Sequence, residues 1–189
     1  MKVFNHGYVE LIATGLREEE ISEIAGISHD SPKGPSIKKL LEWDHMSPLE
    51  FGDVTYKICC PIFVARQLFR HRTGKYMERS LRYCEGKPQF YIPPKGNSDL
   101  LFDASYREIY KAYEELVANG EPKEQARAIL PLGLYTEYYF QIDLRNLINL
   151  LKLRLHKDAQ FETRKYAEAM LELIKEAYPS VYNYVVKLT

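Results

Sequence analysis

Apolar side chains alternate in two short stretches of the chain and recur at every third or fourth position over most of the rest. Residues 2–14 read as one strand centred on Val9, Leu11 and Ile12, and DVTYKIC at 53–59 alternates through Val54, Tyr56 and Ile58. Helical spacing predicts a short helix over 17–26, stopped by Gly26, and another from Pro35 to about Trp43 with Ile37, Leu40 and Leu41 inside. Pro61 opens a third through FVARQLFRHR, whose apolar side is Ile62, Val64, Ala65, Leu68 and Phe69. A long helix over 99–119 carries Tyr106, Ile109, Tyr110, Tyr113, Leu116 and Val117, and Gly120 ends it. Pro122 starts a further helix, with Ala126, Ile129 and Leu130 inside and a break at Pro131. Two more helices are predicted over about 134–154 and 158–177, with a short tail element, VYNYVVKL, after Pro179. Residues 28–36, 44–52 and 74–98 read as connections, the last with one short strand at Phe90-Tyr91-Ile92. The sum is an α+β chain: a single helix-rich domain over 1–189 with few strands, gathered near its N-terminal half.

Composition narrows the classes. A chain of 189 residues, 46% apolar and 28% charged, suits one globular domain with a sizeable core. Lys+Arg and Asp+Glu balance at 26 each, which argues against a broad electrostatic nucleic-acid binder. No run approaches the length and apolarity of a membrane span, and the first residues lack the pattern of a signal peptide. The three cysteines, Cys59, Cys60 and Cys84, form neither a disulfide framework nor a C-x-x-C zinc motif, so a reducing cytoplasm is the expected home. The histidines lack ligand-spaced partners, and no metal site is expected. Fifteen tyrosines suit an aromatic core or large interfaces, and Trp43 is read as packing.

Candidate chemistry concentrates between Pro61 and Pro93. Arg70-His71-Arg72 is followed by seven residues and then Ser80, with Glu78 before it and Arg82 after it. Three consecutive residues cannot share one helical face, so these side chains splay where the helix ends. Guanidinium forks match phosphate oxygens, and an anion site is one reading. A solvated helix end, its positive charge complementing the helix dipole, is the other. An extended segment would place Glu78, Ser80 and Arg82 on one side, able to read a polar ring edge and a phosphate, or simply exposed with neighbouring charges paired.

The residues also carry a resemblance. RHR, seven residues and Ser is similar to the signature of the flavin-dependent thymidylate synthases (the ThyX family). PIFVARQLFRHR, Arg82-Tyr83, FYIP, the upstream DHMSPLEF, QARAILPL at 125–132, DLRNLINLLKLR at 143–154 and AQFE at 159–162 resemble the same family, in order, over nearly the whole chain. The resemblance implies a ThyX-like fold with a small, mostly antiparallel sheet, and a homotetramer with active sites between subunits. It implies reductive methylation of dUMP to dTMP, with 5,10-methylenetetrahydrofolate giving the carbon and FAD, reduced by NADPH, giving the hydride. No cysteine nucleophile is implied. Arg70, His71 and Arg72 match the FAD-binding signature segment, with Arg70 also near the nucleotide, and Glu78 is shared between cofactor and substrate. Ser47 matches a position touching FAD, with His45 near the flavin ring, and Asp143, Leu144, Arg145 and Asn149 match a FAD-binding segment. Gln67, Leu68, Phe69, the run Glu78-Arg79-Ser80-Leu81-Arg82, and Arg127 match dUMP-binding positions. Ser80 would lie close to the uracil and Arg82 would hold phosphate.

Arg154 matches an arginine that stabilises negative charge on the uracil ring. Electron density must build at uracil C5 before it attacks a one-carbon electrophile, and a permanently charged, planar donor against the ring carbonyl favours that form. Read without the resemblance, Arg154 is better taken as a cation near a helix C-terminus. Three departures from the family pattern stand out: Met77 where Asn is common, Asp143 where Asn is common, and Lys75 in place of a small residue. They leave open a relative that methylates UMP, and a non-catalytic flavin- or nucleotide-binding oligomer is the alternative of another class.

Overall fold

The computed structural model describes residues 1–94 and 98–188; residues 95–97 of the 74–98 connection and Thr189 lie outside them. Five strands, β1 (Lys2–Val3), β2 (Gly7–Thr14), β3 (Asp53–Pro61), β4 (Lys75–Glu78) and β5 (Tyr135–Asp143), form one sheet in the order β1-β2-β3-β5-β4, each pair antiparallel. The strand expected over 2–14 is a hairpin. It turns at Phe4, whose φ is 61°, so that Lys2 pairs with Tyr8. A register shift between Leu11 and Ala13 then turns Ile12 outward.

The largest correction concerns 134–154. Its first half is not helix but β5, an inner strand of the sheet between β3 and β4. Thr136, Tyr138, Phe140 and Ile142 are all buried and lie opposite Cys60, Ile58, Tyr56 and Val54 of β3. β-branched and aromatic residues at period two fit a pleated surface, and cross-strand pairs of this kind stabilise it. Helix begins only at Leu144, because Asp143 caps it: its carboxylate accepts from the Asn146 backbone N–H at 2.9 Å and from Asn146 Nδ2 at 2.7 Å.

One face of the sheet is covered by helices. In α6 (Leu144–Leu155), Leu144, Leu147, Ile148, Leu150 and Leu151 are buried, each contributing about 1.5–3 kcal/mol. α7 (Phe161–Leu173) brings Tyr166, Ala167 and Met170 into the same core, and the tail is a full helix, α8 (Pro179–Leu188), seated by Val181 and Val185. α1 (Glu18–Gly26) and α2 (Ile37–Glu42) close one end, and α3 (Ile62–Leu68) follows β3 directly. The opposite face of the sheet is more polar: Lys57 pairs with Glu137 at 3.5 Å, and Tyr8 donates to the same carboxylate.

α4 (Asp99–Ala118) buries only Tyr113 among its aromatic residues, although Tyr106 stacks on Phe90 at 4.7 Å. α5 (Lys123–Ala126) is a single turn continued as 3-10 helix over Arg127–Ile129; Ala126 is buried as expected, whereas Ile129 faces outward. Phe90 makes an isolated bridge to Leu134, all that forms of the predicted strand there. Cys59 and Cys60 are buried, as expected, and burial pushes both thiols up, Cys59 to about 11. Among the described residues no helix is long and apolar enough to cross a membrane, and no three His, Cys, Asp or Glu residues group as a metal site.

Candidate active site

The signature segment is a bend between α3 and β4. The backbone amide of His71 bonds the Leu68 carbonyl at 3.1 Å, and that of Gly74 bonds His71 O at 3.1 Å. Tyr76, on β4, fixes the bend from outside: its hydroxyl shares its one proton between Leu68 O at 2.9 Å and His71 O at 3.0 Å. Its ring stacks on Phe140 at 4.7 Å and meets Phe69 edge-on at 4.7 Å. Gly74 is needed because a Cβ there would enter the Phe140 ring. The two arginines, Arg70 and Arg72, are left exposed on either side of a half-buried His71, the splay expected from the sequence.

Arg154, 83 positions further on, comes to this bend from the last turn of α6. Its Nε donates to His71 Nε2 at 3.1 Å and its Nη2 to the Gln67 carbonyl at 2.8 Å. His71 therefore carries its proton on Nδ1. Burial, and then the Arg154 charge, lower its pKa from 6.5 to about 4, so it stays neutral at physiological pH. Burial and the nearby Arg70 lower the Arg154 pKa as well, but a guanidinium keeps its charge. Gln67 is itself held. Its Oε1 accepts from the buried Thr163 hydroxyl at 3.0 Å, and its Nε2 donates to Gln160. Leu68 is fully buried, so only its backbone can meet a ligand, and Phe69 is half-buried.

A second group lines a cleft of about 770 Å³. His45, Ser47, Arg145 and Asn149, picked out from two segments a hundred positions apart, all border it, together with Trp43, Asp44, Pro48 and Lys152. α2 ends at its rim in a Schellman-type closure, with Asp44 N bonding Leu41 O at 3.3 Å and His45 N bonding Leu40 O at 2.9 Å. That closure puts Asp44 at φ 57°, the left-handed position usually given to glycine. On the other wall, Arg145, Asn149 and Lys152 rise along one side of α6, and Arg145 pairs with Glu50. Of the remaining pair, Leu144 is fully buried and Asp143 is engaged in its cap.

The third group corrects the extended reading of 78–82. β4 ends at Glu78, whose carboxylate accepts from Thr136 Oγ1 at 2.7 Å. Arg79 keeps one sheet-like bond, N to Glu137 O at 2.9 Å, and at Ser80 the chain turns, its carbonyl accepting from the amides of Tyr83 and Cys84. Glu78, Ser80 and Arg82 thus do not share a strand face. The turn instead carries Arg82 to Glu124, 3.0 Å away, where Arg127 Nε also bonds the Glu124 carbonyl at 3.2 Å. Two arginines predicted for the nucleotide, 45 positions apart, meet around one residue; Leu81 is half-buried beside them.

The expected residues therefore form three groups, and the cleft lining includes neither the signature bend, nor Arg154, nor the Arg82–Arg127 pair. Trp43, Lys152, Glu124, Gln160 and Thr163 were not anticipated. Lys152 was legible, since it follows Asn149 by three on the same helix; Trp43 was not, because helical spacing alone left it read as packing, whereas it is 55% exposed.

A family model described as "Thymidylate synthase complementing protein" matches residues 8–180. The chain belongs to this family. Flavin-dependent thymidylate synthases of Thermotoga neapolitana and Thermus thermophilus are 34% and 36% identical to it, over 98% and 94% of this chain and 93% and 74% of theirs. A crystal structure of a UMP/dUMP methylase, PolB from Streptomyces cacaoi, bound with 5-Br dUMP, superposes with a TM-score of 0.88 at 26% identity, covering 99% of this chain and 97% of that one. The α+β architecture with an antiparallel sheet is thus that of the thymidylate synthase complementing family, as the resemblance implied.

Proposed function

We propose that the protein is a flavin-dependent thymidylate synthase, forming dTMP from dUMP with 5,10-methylenetetrahydrofolate as carbon donor. The observation that carries the reading is Arg154, a fixed guanidinium held by a neutral histidine at the signature bend. The relatives' names and the family match support the same activity.

The cleft fits a flavin dinucleotide: it combines an indole, a hydroxyl, a carboxamide, a guanidinium and an ammonium in about 770 Å³. His45, Ser47, Arg145 and Asn149 would hold FAD there, with Arg70, His71, Arg72 and Glu78 joining from the signature segment. Asp143 and Leu144 contribute by starting α6, which orients Arg145 and Asn149. Bound FAD, reduced by NADPH, supplies the hydride. Gln67, Phe69, the 78–82 turn, Arg82 and Arg127 would take dUMP, the two arginines as phosphate donors. Arg154 would stand against the ring carbonyl and stabilise the negative charge that develops as C5 becomes nucleophilic. The cleft lining takes in neither the signature bend nor the Arg82–Arg127 pair, which favours a homotetramer in which neighbouring subunits complete each site.

The test is to titrate the purified protein with FAD and then dUMP, following the flavin spectrum, and to assay dTMP with methylenetetrahydrofolate and NADPH. Binding of both and turnover are expected; a protein that takes no flavin sinks the reading. A second reading, methylation of UMP, is favoured by the likeness to PolB and by the exposed Met77. Turnover of UMP in preference to dUMP would select it.

A further inference from the structure

Trp43 is the only tryptophan of the chain and stands 55% exposed at the rim of the cleft. Its neighbours along the lining are His45, Ser47, Arg145, Asn149 and Lys152. An indole is the largest apolar side chain, and one left this far in water adds little to the core. Its single ring contact among the described residues is with His45, at 6.0 Å and 67°, an edge-on approach rather than a stack. Among those residues its ring N–H also has no hydrogen-bond partner.

The residue is nonetheless rigidly placed. It is the cap residue of α2, its amide bonding Lys39 O at 3.0 Å, and the closure that follows fixes Asp44 and His45 behind it. α2 is in turn anchored by Ile37, Leu40 and Leu41, all buried. A rigid, amphipathic ring at the mouth of a polar cleft is a surface for stacking another planar ring, with the N–H as a ready donor.

We propose that Trp43 is a ligand-contacting residue, whose indole stacks on a planar ring of the flavin dinucleotide held in the cleft. This rests on the flavin reading above. Lys152, on the facing helix, supplies a cation for the dinucleotide's phosphates across the same cleft.

The experiment compares FAD affinity of the apo-protein with that of Trp43→Ala and Trp43→Phe, by equilibrium dialysis and flavin anisotropy. Because the side chain is exposed, both variants are expected to keep the wild-type circular dichroism and melting temperature. Trp43→Ala should weaken FAD about tenfold, the order of an aromatic stacking contact, and Trp43→Phe, which keeps a ring, should stay within about threefold of wild type. Parallel titrations with FMN and with ADP identify the ring: loss confined to FMN assigns the isoalloxazine, and loss confined to ADP the adenine. An FAD affinity of Trp43→Ala within about twofold of wild type overturns the proposal. A wild-type protein that binds no FAD overturns the flavin reading itself, a different and separately visible result.

Discussion

Arg154 donates its Nε–H to Nε2 of His71 at 3.1 Å, so the imidazole accepts from a cation and cannot itself become one without losing that bond. The pair is the joint between the signature bend and α6. It also makes the histidine a neutral spacer that holds the guanidinium in direction without cancelling its charge.

Acid should weaken the fold through this joint. The unfolded chain takes the His71 proton near pH 6.5, whereas the folded chain takes it near 4. The contribution of His71 is therefore full above about pH 6.5 and declines as the pH falls toward 4, because the unfolded state binds the proton first. Urea unfolding between pH 7 and 4 should show this slope, reduced in His71→Asn. Equal slopes in both proteins would contradict it.

Replacing Arg154 by Ala should lower the rate of dTMP formation by roughly 10²–10³-fold, the scale of removing one preorganised donor from a developing anion. Bound flavin should persist, since Arg154 lies outside the cleft lining. Activity unchanged in Arg154→Ala would end its assignment to the chemistry.

Tyr166 offers a test in the core. Its hydroxyl is buried among the described residues with no hydrogen-bond partner, and it lies over Gly7, where a Cβ would overlap both that oxygen and Val3 O. Tyr166→Phe is expected to stabilise the protein by about 1 kcal/mol in denaturant melts, since it removes an unpaired polar atom. Gly7→Ala should cost more than about 2 kcal/mol. The double variant should recover only partly, because the Val3 carbonyl remains in the way.

Asp44 gives a second stabilising substitution. A non-glycine residue at φ 57° is strained, and glycine is free of that strain. Asp44→Gly should raise stability by about 0.5–1 kcal/mol, net of the entropy glycine loses on folding. A lower melting temperature would show that the carboxylate holds the turn by a contact of its own.

Much of this was legible from local pattern. The amphipathic helices, β3 and the bend at Arg70–Arg72 follow from spacing and from where an apolar run stops. β5 was missed because the strong helical spacing of Leu144, Leu147, Ile148 and Leu151 was carried back across Asp143, although the period-two series Thr136, Tyr138, Phe140, Ile142 and the capping Asp were both present. The turn at Ser80 was missed for another reason. Its carbonyl accepts two amides three and four residues on, a backbone choice that the alternating side chains of 75–82 do not announce. The meeting of Arg82 with Arg127, and of Arg154 with His71, depends on tertiary packing of α5 and α6, which no single stretch encodes.

Tyr76 has one further consequence. Its hydroxyl clasps the two carbonyls at the end of α3 from a strand only four residues long, at the outer edge of the sheet. Opening that edge is a local event with a free energy below that of global unfolding. Peeling β4 away removes the clasp and the Phe140 stack together, so the amides of 70–74 are expected to exchange with solvent deuterium in step with those of Lys75–Glu78. The signature bend and β4 are in this sense expected to open as one cooperative unit, the ordered bend lasting as long as the sheet's edge stays closed.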